Sequence, residues 1–404
     1  MRKNAVSTWK IAATYIGTVV GAGFATGQEI LQFFVRFGKP GLLGIVAAAV
    51  LFVFFGCIIM DLGNRLNARS HLEIIRYANG RFLGGIADAL IIFFLFGSFT
   101  AMLAGTGALL HQQLGLPMAA GSLLMGVLTA ATVLTGVDGV INSISFAVPF
   151  LLLSVIVVSG YSILHSPLDF SAGDLGQNSL IANWPVSAIL YVSYNIMLSV
   201  AVLGALGANA RDRKALKNGA ILGGAGLGFA SALIFLALCG NLSRISGLEV
   251  PMICIAGRIS PLVQILYGIV LVAEIYTTAV GSLFGFSSRL LPVRDTRVRR
   301  RAVVIGATVM ALFASQLGFS NLVKYLFPVE GVCGIFLLAG FVHVWATRRL
   351  KHARRCFPAC PPDGISYRSE AGQIDEQYKP HTVIYNSWEI PVCSRNRRNT
   401  KRKT

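Results

Sequence analysis

Three glutamates stand inside stretches that otherwise carry no charge. Glu29 lies in "TVVGAGFATGQEILQFF" (18–34), Glu274 in "YGIVLVAEIYTTAVGSLFG" (267–285) and Glu330 in "VEGVCGIFLLAGF" (329–341). A carboxylate at the centre of a bilayer costs about 2.5–3.5 kcal/mol on the insertion scale, and residues retained at that cost mark ion or proton pathways. Glu29, Glu274 and Glu330 are therefore candidate coupling carboxylates. Thr277 and Thr278 follow Glu274 at i+3 and i+4, so all three share one helical face. Two hydroxyls and the Glu274 carbonyl make an oxygen-rich patch suited to a small hard cation such as sodium. The competing reading is that both threonines bond back to their own helix. Glu330 follows Pro328 near a span end, which weakens its claim relative to the other two.

The stretch around Glu29 carries a second signal. Gly21, Gly23 and Gly27 cluster in the middle of an apolar run, where each costs about 1 kcal/mol of helix propensity relative to Ala. Non-helical backbone at membrane depth is tolerated where it is buried in protein or lines a watery cavity. Freed carbonyls there can hold a cation, and freed N–H groups at the next half-helix can hold an anion. The alternative is close packing of two intact helices at small residues spaced by four, Gly17 with Gly21 and Gly23 with Gly27. The spacing G-x-G-x-x-x-G with no preceding strand excludes a dinucleotide fingerprint.

These residues need elements that cross a membrane. The chain has 404 residues, 54% hydrophobic and 13% charged, against about a quarter charged in a soluble domain. Ten uncharged or nearly uncharged runs reach the ~20 residues that a helical span requires: 8–35, 41–62, 84–110, 117–136, 139–164, 184–207, 216–239, 259–287, 302–320 and 323–347. Their continuity excludes barrel strands, which alternate. The expected architecture is an all-α polytopic bundle. Basic residues gather before the first span (Arg2, Lys3, Lys10) and between spans 8 and 9 ("RLLPVRDTRVRRR"), whereas the alternate loops hold few. The positive-inside rule then places both termini in the cytoplasm of a multi-pass cell-membrane protein. Residues 1–25 read as the first span rather than a cleaved leader, whose removal would put the basic loops on the wrong side. The net charge of +18 is a topology signal; no aromatic-interleaved basic stripe points to nucleic acid.

Residues 1–347 form the expected ten-helix domain. Residues 348–404 read as a basic, disordered cytoplasmic tail, closing in "RNRRNTKRKT". The cysteines show no disulfide or zinc pattern, Cys356 and Cys360 lacking a second ligand pair. Asp61, Asp88 and Asp138 sit at span ends, where solvated capping explains them.

Ten spans divide into two halves of five, which pairs span 1 with span 6. Span 6 has its own polar interruption, Ser193, Tyr194 and Asn195, with Ser199 one turn beyond Asn195. Disturbed helices at matching positions of two halves point to a transporter binding site; interhelical hydrogen bonding is the other reading of Tyr194 and Asn195. With the span-8 threonines, this pattern resembles the five-plus-five inverted-repeat transporters of the amino acid–polyamine–organocation superfamily, the LeuT fold. The motif "GAGFATGQEILQFF" is similar to that of the YkvI-like membrane proteins.

The resemblance covers residues 1 to about 347 and implies broken helices 1 and 6. It implies a sodium site between spans 1 and 8, formed by the carbonyls of Gly17, Val20 and Glu274 and the hydroxyls of Thr277 and Thr278. It implies a substrate site at the two breaks: Gly21, Ala22, Gly23, Phe24, Ala25 and Thr26 on one side, Ser193, Tyr194, Asn195 and Ser199 on the other. Phe24 and Ala25 stand where sodium-coupled amino-acid carriers often place Asn, so a second sodium site is not implied. The expected function is a cation-coupled secondary transporter of a small polar, amino-acid-like solute, with Na+ or H+ as coupling ion and no other cofactor. The alternative is a non-transporting receptor of the same fold. No nucleophile, metal or paired-acid motif supports an enzyme.

Overall fold

A computed structural model describes residues 7–68, 71–135, 137–170, 181–210, 213–245, 247–290 and 297–356. It is all-helical. The first span comprises α1 (Thr8–Val19), α2 (Ala22–Ala25) and α3 (Gln28–Phe33), followed by a 3-10 turn at Val35–Phe37 and α4 (Lys39–Leu66). Then come α5 (His71–Leu114), α6 (Met118–Thr135), α7 (Val137–His165), α8 (Trp184–Asn209) and α9 (Arg213–Cys239). Two short helices, α10 (Leu242–Ile245) and α11 (Pro251–Gly257), lead to α12 (Pro261–Leu290) and α13 (Arg297–Ser315). The last span is α14 (Phe319–Asn321), a π-helical turn at Leu322–Leu326 and α15 (Phe327–Cys356).

Local chemistry sets several ends. Asn183 caps α8 by accepting from the Val186 N–H at 3.1 Å, with Pro185 just inside the helix. Gly80, at φ 78°, interrupts α5 and separates a connecting helix from the span proper. Helices α1, α4, α8 and α9 pack as one group, and α5, α6, α7, α12 and α13 as another. The α4–α8 contact is close because glycines face backbone: a Cβ on Gly63 would lie 2.2 Å from the Gly204 carbonyl oxygen, and one on Gly207 2.2 Å from that of Met60. Apolar side chains such as Leu43, Val46, Leu123 and Val127 point outward, as expected where lipid is the solvent.

Among the described residues, seven helices are long and apolar enough to cross a bilayer alone: Lys39–Leu66, Gly84–Leu114, Met118–Thr135, Trp184–Ala208, Arg213–Cys239, Pro261–Leu290 and Phe319–Thr347. Of the other three expected spans, 8–35 is broken into short helices, and 139–164 falls within α7, which contains Pro149. The third, 302–320, corresponds to α13, which begins with Arg297, Arg299, Arg300 and Arg301 and ends at Ser315. Of the expected disordered tail, 348–404, residues 348–356 are helical as the end of α15, and residues 357–404 lie outside those described.

One expectation is overturned. Helix α8 runs unbroken from Trp184 to Asn209, so span 6 has no break at Ser193–Ser199. Ser193, Asn195 and Ser199 find partners without opening the helix, while the Tyr194 ring packs against Phe33 and Phe327. Asn195 Nδ2 donates to the Tyr191 carbonyl at 2.9 Å and Ser199 Oγ to that of Ile196 at 3.2 Å. Ser193 Oγ donates across to the Gly331 carbonyl on α15 at 2.7 Å. The first glycine of α8 is Gly204, well past this segment. Interhelical, i−3 and i−4 bonding, not unwinding, accounts for Ser193, Asn195 and Ser199.

Candidate functional site

The first span breaks twice. Val20 and Gly21 are both extended (φ −71°, ψ 112° and φ −126°, ψ −170°), which ends α1 and starts α2. Bonds resume at once, with Ala25 N–H to Gly21 and Thr26 N–H to Ala22, so this break is narrower than the expected segment Gly21 to Thr26. Gly27 then takes a left-handed φ of 81°, which no Cβ-bearing residue adopts without strain, and α3 begins.

The two breaks are satisfied differently. At the second, the Tyr267 hydroxyl on α12 donates to the Ala25 carbonyl at 2.7 Å, and the Met252 N–H on α11 donates to that of Thr26 at 3.0 Å. Protein fills that gap. At the first, neither the Gly17 nor the Val20 carbonyl accepts a bond among the described residues.

Beside that first break is a cavity of about 310 Å³. Gly17 and Thr18 line it from α1, Ile91, Leu95 and Ser98 from α5, and Met197, Leu198, Val200, Ala201 and Val202 from α8. Glu274, Thr277, Thr278, Gly281, Ser282, Gly285 and Arg289 line it from α12. It thus runs from the break toward the end of α12, where Arg289 pairs with Asp88 of α5. That ion pair, not solvated capping alone, occupies Asp88; Asp61 pairs with Arg65 at 2.6 Å, and the Asp138 side chain lies outside those described. Thr277 Oγ donates to the Glu274 carbonyl at 3.0 Å. The Thr278 hydroxyl faces the break, 4.0 Å from where a Gly21 Cβ would be. Glu274 is buried and its Oε2 has no partner.

Gly17, Glu274, Thr277 and Thr278 therefore meet on one cavity, and Val20 is not among its lining residues. Gly21, Ala22, Gly23, Phe24, Ala25 and Thr26 are not among its lining residues, and Ala22–Thr26 are buried. Ser193, Tyr194, Asn195 and Ser199 are buried too, and the cavity is lined instead by the following turns of α8. Glu29 and Glu330 lie elsewhere, on α3 and α15. Sequence reading missed Ser98 and Ser282, which are hydrogen-bonded to each other at 3.1 Å. Ser282 continues the Glu274–Thr278 face by one more turn, a legible signal; Ser98 had none.

Outside the spans, burial pushes the Glu249 carboxyl above the ordinary glutamate range. The Phe319 and Ser320 backbone N–H groups and His111 partly oppose this.

No family model matches the sequence. The membrane protein YkvI of Bacillus subtilis is 30% identical over 352 residues, 86% of this chain and 99% of YkvI. The chain belongs to the YkvI family. YyaD of the same organism is 30% identical over 325 residues, 80% of this chain and 92% of YyaD. Among solved structures, this YkvI-family protein is similar to the inward-facing conformation of Mhp1 (13% identity, TM-score 0.55, 86% of this chain and 92% of that one). It is also similar to MhsT in complex with L-phenylalanine (16%, TM-score 0.58, 83% and 89%). A Na+-coupled sialic acid symporter in a substrate-bound outward-open state aligns with TM-score 0.59 at 12% identity over 83% of this chain and 79% of that one. The fold is that of LeuT-type transporters, in a multi-pass membrane protein.

Proposed function

We propose that this YkvI-family protein is a cation-coupled secondary active transporter that moves a small polar, amino-acid-like solute by alternating access. The observation that carries this reading is the first break, which leaves the Gly17 and Val20 carbonyls without a hydrogen bond next to a cavity that Gly17, Glu274 and Thr278 line. Irregular backbone around a midplane cavity is how transporters hold ions and solutes. Sodium would take the carbonyls of Gly17, Val20 and Glu274 with the hydroxyls of Thr277 and Thr278. With both termini cytoplasmic, the cavity faces inward, since it extends toward the Arg289 end of α12. The solute would occupy the cavity next to the first break, against Met197, Leu198, Val200, Ala201 and Val202 of α8.

Purified protein in liposomes, given sodium or pH gradients and a panel of labelled amino acids and related metabolites, tests this. Gradient-dependent accumulation of one solute is expected; binding without counterflow for every solute that binds refutes transport. The unbroken α8 favours the second reading, a receptor that keeps the fold without flux, and the same assay separates the two.

A further inference from the structure

Glu29 and Glu330 stand 301 positions apart in the chain, yet their carboxylates are electrostatic neighbours in the fold. Both are buried, at 4% and 0% exposure. Each occupies room made by a glycine. A Cβ on Gly23 would fall 2.2 Å from Glu29 Oε1, and a Cβ on Gly97 of α5 2.9 Å from Glu330 Oε1. The aromatic ring of Tyr194 bridges the two helices that carry them, 5.8 Å from Phe33 of α3 and 5.1 Å from Phe327 of α15.

The polar atoms around the pair lack partners. Glu29 Oε2, both Glu330 oxygens, Gln32 Oε1 and the Tyr191 and Tyr194 hydroxyls are buried without a hydrogen bond, although the Tyr194 phenol lies close enough to Glu29 to interact. The groups facing the pair are Tyr191 and Tyr194 from α8 and Cys333 from α15, with Gly97 on α5; Gln28 and Gln32 are buried on α3, Gln28 donating to Ser320. Among the described residues no cation pairs with either carboxylate. Arg36 and Lys324, the basic residues nearest in sequence, lie over the rings of Phe37 and Tyr325. Two adjacent carboxylates without a cation cannot both stay ionised in such a site.

We propose that Glu29 and Glu330 form a proton-binding pair that latches α3 to the last span, which it meets at the Leu322–Leu326 turn, and that losing the proton releases this contact. The pair lies beyond the break from the cavity, on the part of the bundle closed by Met252, Tyr267 and the Gln28–Ser320 hydrogen bond of 2.8 Å. Protonated, it permits the close packing of this end while the other end holds the cavity. Ionised, the two like charges repel between α3 and the last span, and α3 separates from the Leu322–Leu326 turn. The latch deepens the transport reading, but it is read out without flux, so either can fail alone.

Hydrogen–deuterium exchange of the full-length protein, followed in peptides covering 22–37 and 319–334, tests it. Wild type is compared with Glu29→Gln/Glu330→Gln at mildly acidic and mildly alkaline pH. The ratio of wild type to variant at each pH cancels the intrinsic pH dependence of exchange. We expect a ratio near one under acid conditions and a severalfold rise under alkaline ones, with either single Gln variant behaving as the double. If the double variant does not fold, the singles carry the test. A ratio that stays at one at both pH values overturns the latch. A ratio that changes when sodium replaces potassium at constant pH overturns the proton as its ligand.

Discussion

Gly21 and Gly23 lie two residues apart, and the structure gives them opposite tolerances. An alanine Cβ at Gly23 would sit 2.2 Å from Glu29 Oε1, 2.6 Å from Cγ and 2.7 Å from Cδ. Ordinary contact begins at 3.4 Å, so the carboxyl must retreat by about 1 Å into a site already filled by Tyr194 and Glu330. Overpacking of this kind costs about 1–3 kcal/mol, offset by up to ~1 kcal/mol of helix propensity gained within α2. At Gly21 the nearest atom is Thr278 Cγ2 at 3.9 Å, and the backbone is extended. Gly21→Ala should therefore be neutral or stabilising by ~0.4–1 kcal/mol through the unfolded chain. The two variants should differ by roughly 2 kcal/mol, a separation of a few degrees in thermal denaturation followed by intrinsic fluorescence. Shortening the carboxylate in the same background, as Gly23→Ala/Glu29→Asp, should recover part of the loss, because contacting residues couple. Equal midpoints for Gly21→Ala and Gly23→Ala, or no recovery with Asp, would refute the placement of Glu29 over Gly23.

The cation site predicts that Thr277→Val/Thr278→Val keeps the fold but loses sodium-dependent thermal stabilisation, which at 100 times Kd amounts to about 2.7 kcal/mol; an unchanged sodium response removes these hydroxyls from the site. Gly27→Ala should destabilise, since its φ of 81° and the Met252 Cγ at 2.7 Å both oppose a Cβ; a melting temperature equal to wild type excludes the left-handed turn. The Glu249 carboxyl is raised by burial, so its protonated form favours the fold, and its contribution is complete below the unfolded glutamate value and lost as pH rises through the folded one. Glu249→Gln should accordingly flatten the fall in thermal stability with rising pH in that window, and a profile parallel to wild type counts against it.

The first span was legible because its message is local. Three glycines weaken a helix wherever it lies, and the left-handed Gly27 is a conformation that glycine alone adopts readily. Span 6 misled because its polar residues carry no such backbone message. Ser193, Asn195 and Ser199 satisfy themselves on carbonyls of α8 and α15, and nothing in one sequence separates that from unwinding. The Glu274–Thr278 face was legible from helical spacing, and Ser282 could have been added by the same rule. Ser98 required knowing that α5 packs against α12. The Glu29–Glu330 pairing depends on a contact between the two ends of the domain, which no local pattern encodes; the clue lay in the glycines opposite, Gly23 and Gly97.

The narrowness of the first break has a mechanical consequence. Two extended residues, Val20 and Gly21, join α1 to the rest of the span, while α1 itself is a rigid rod of 12 residues. At 1.5 Å per residue its length is about 18 Å, so a rotation of about 20° at the joint would sweep its far end through about 6 Å. Trp9 rides on that end, 77% exposed, and Trp side chains prefer the membrane–water boundary. A lever with its tip anchored at that boundary feels the bilayer as a load, and its resting angle then depends on the thickness of the membrane around it.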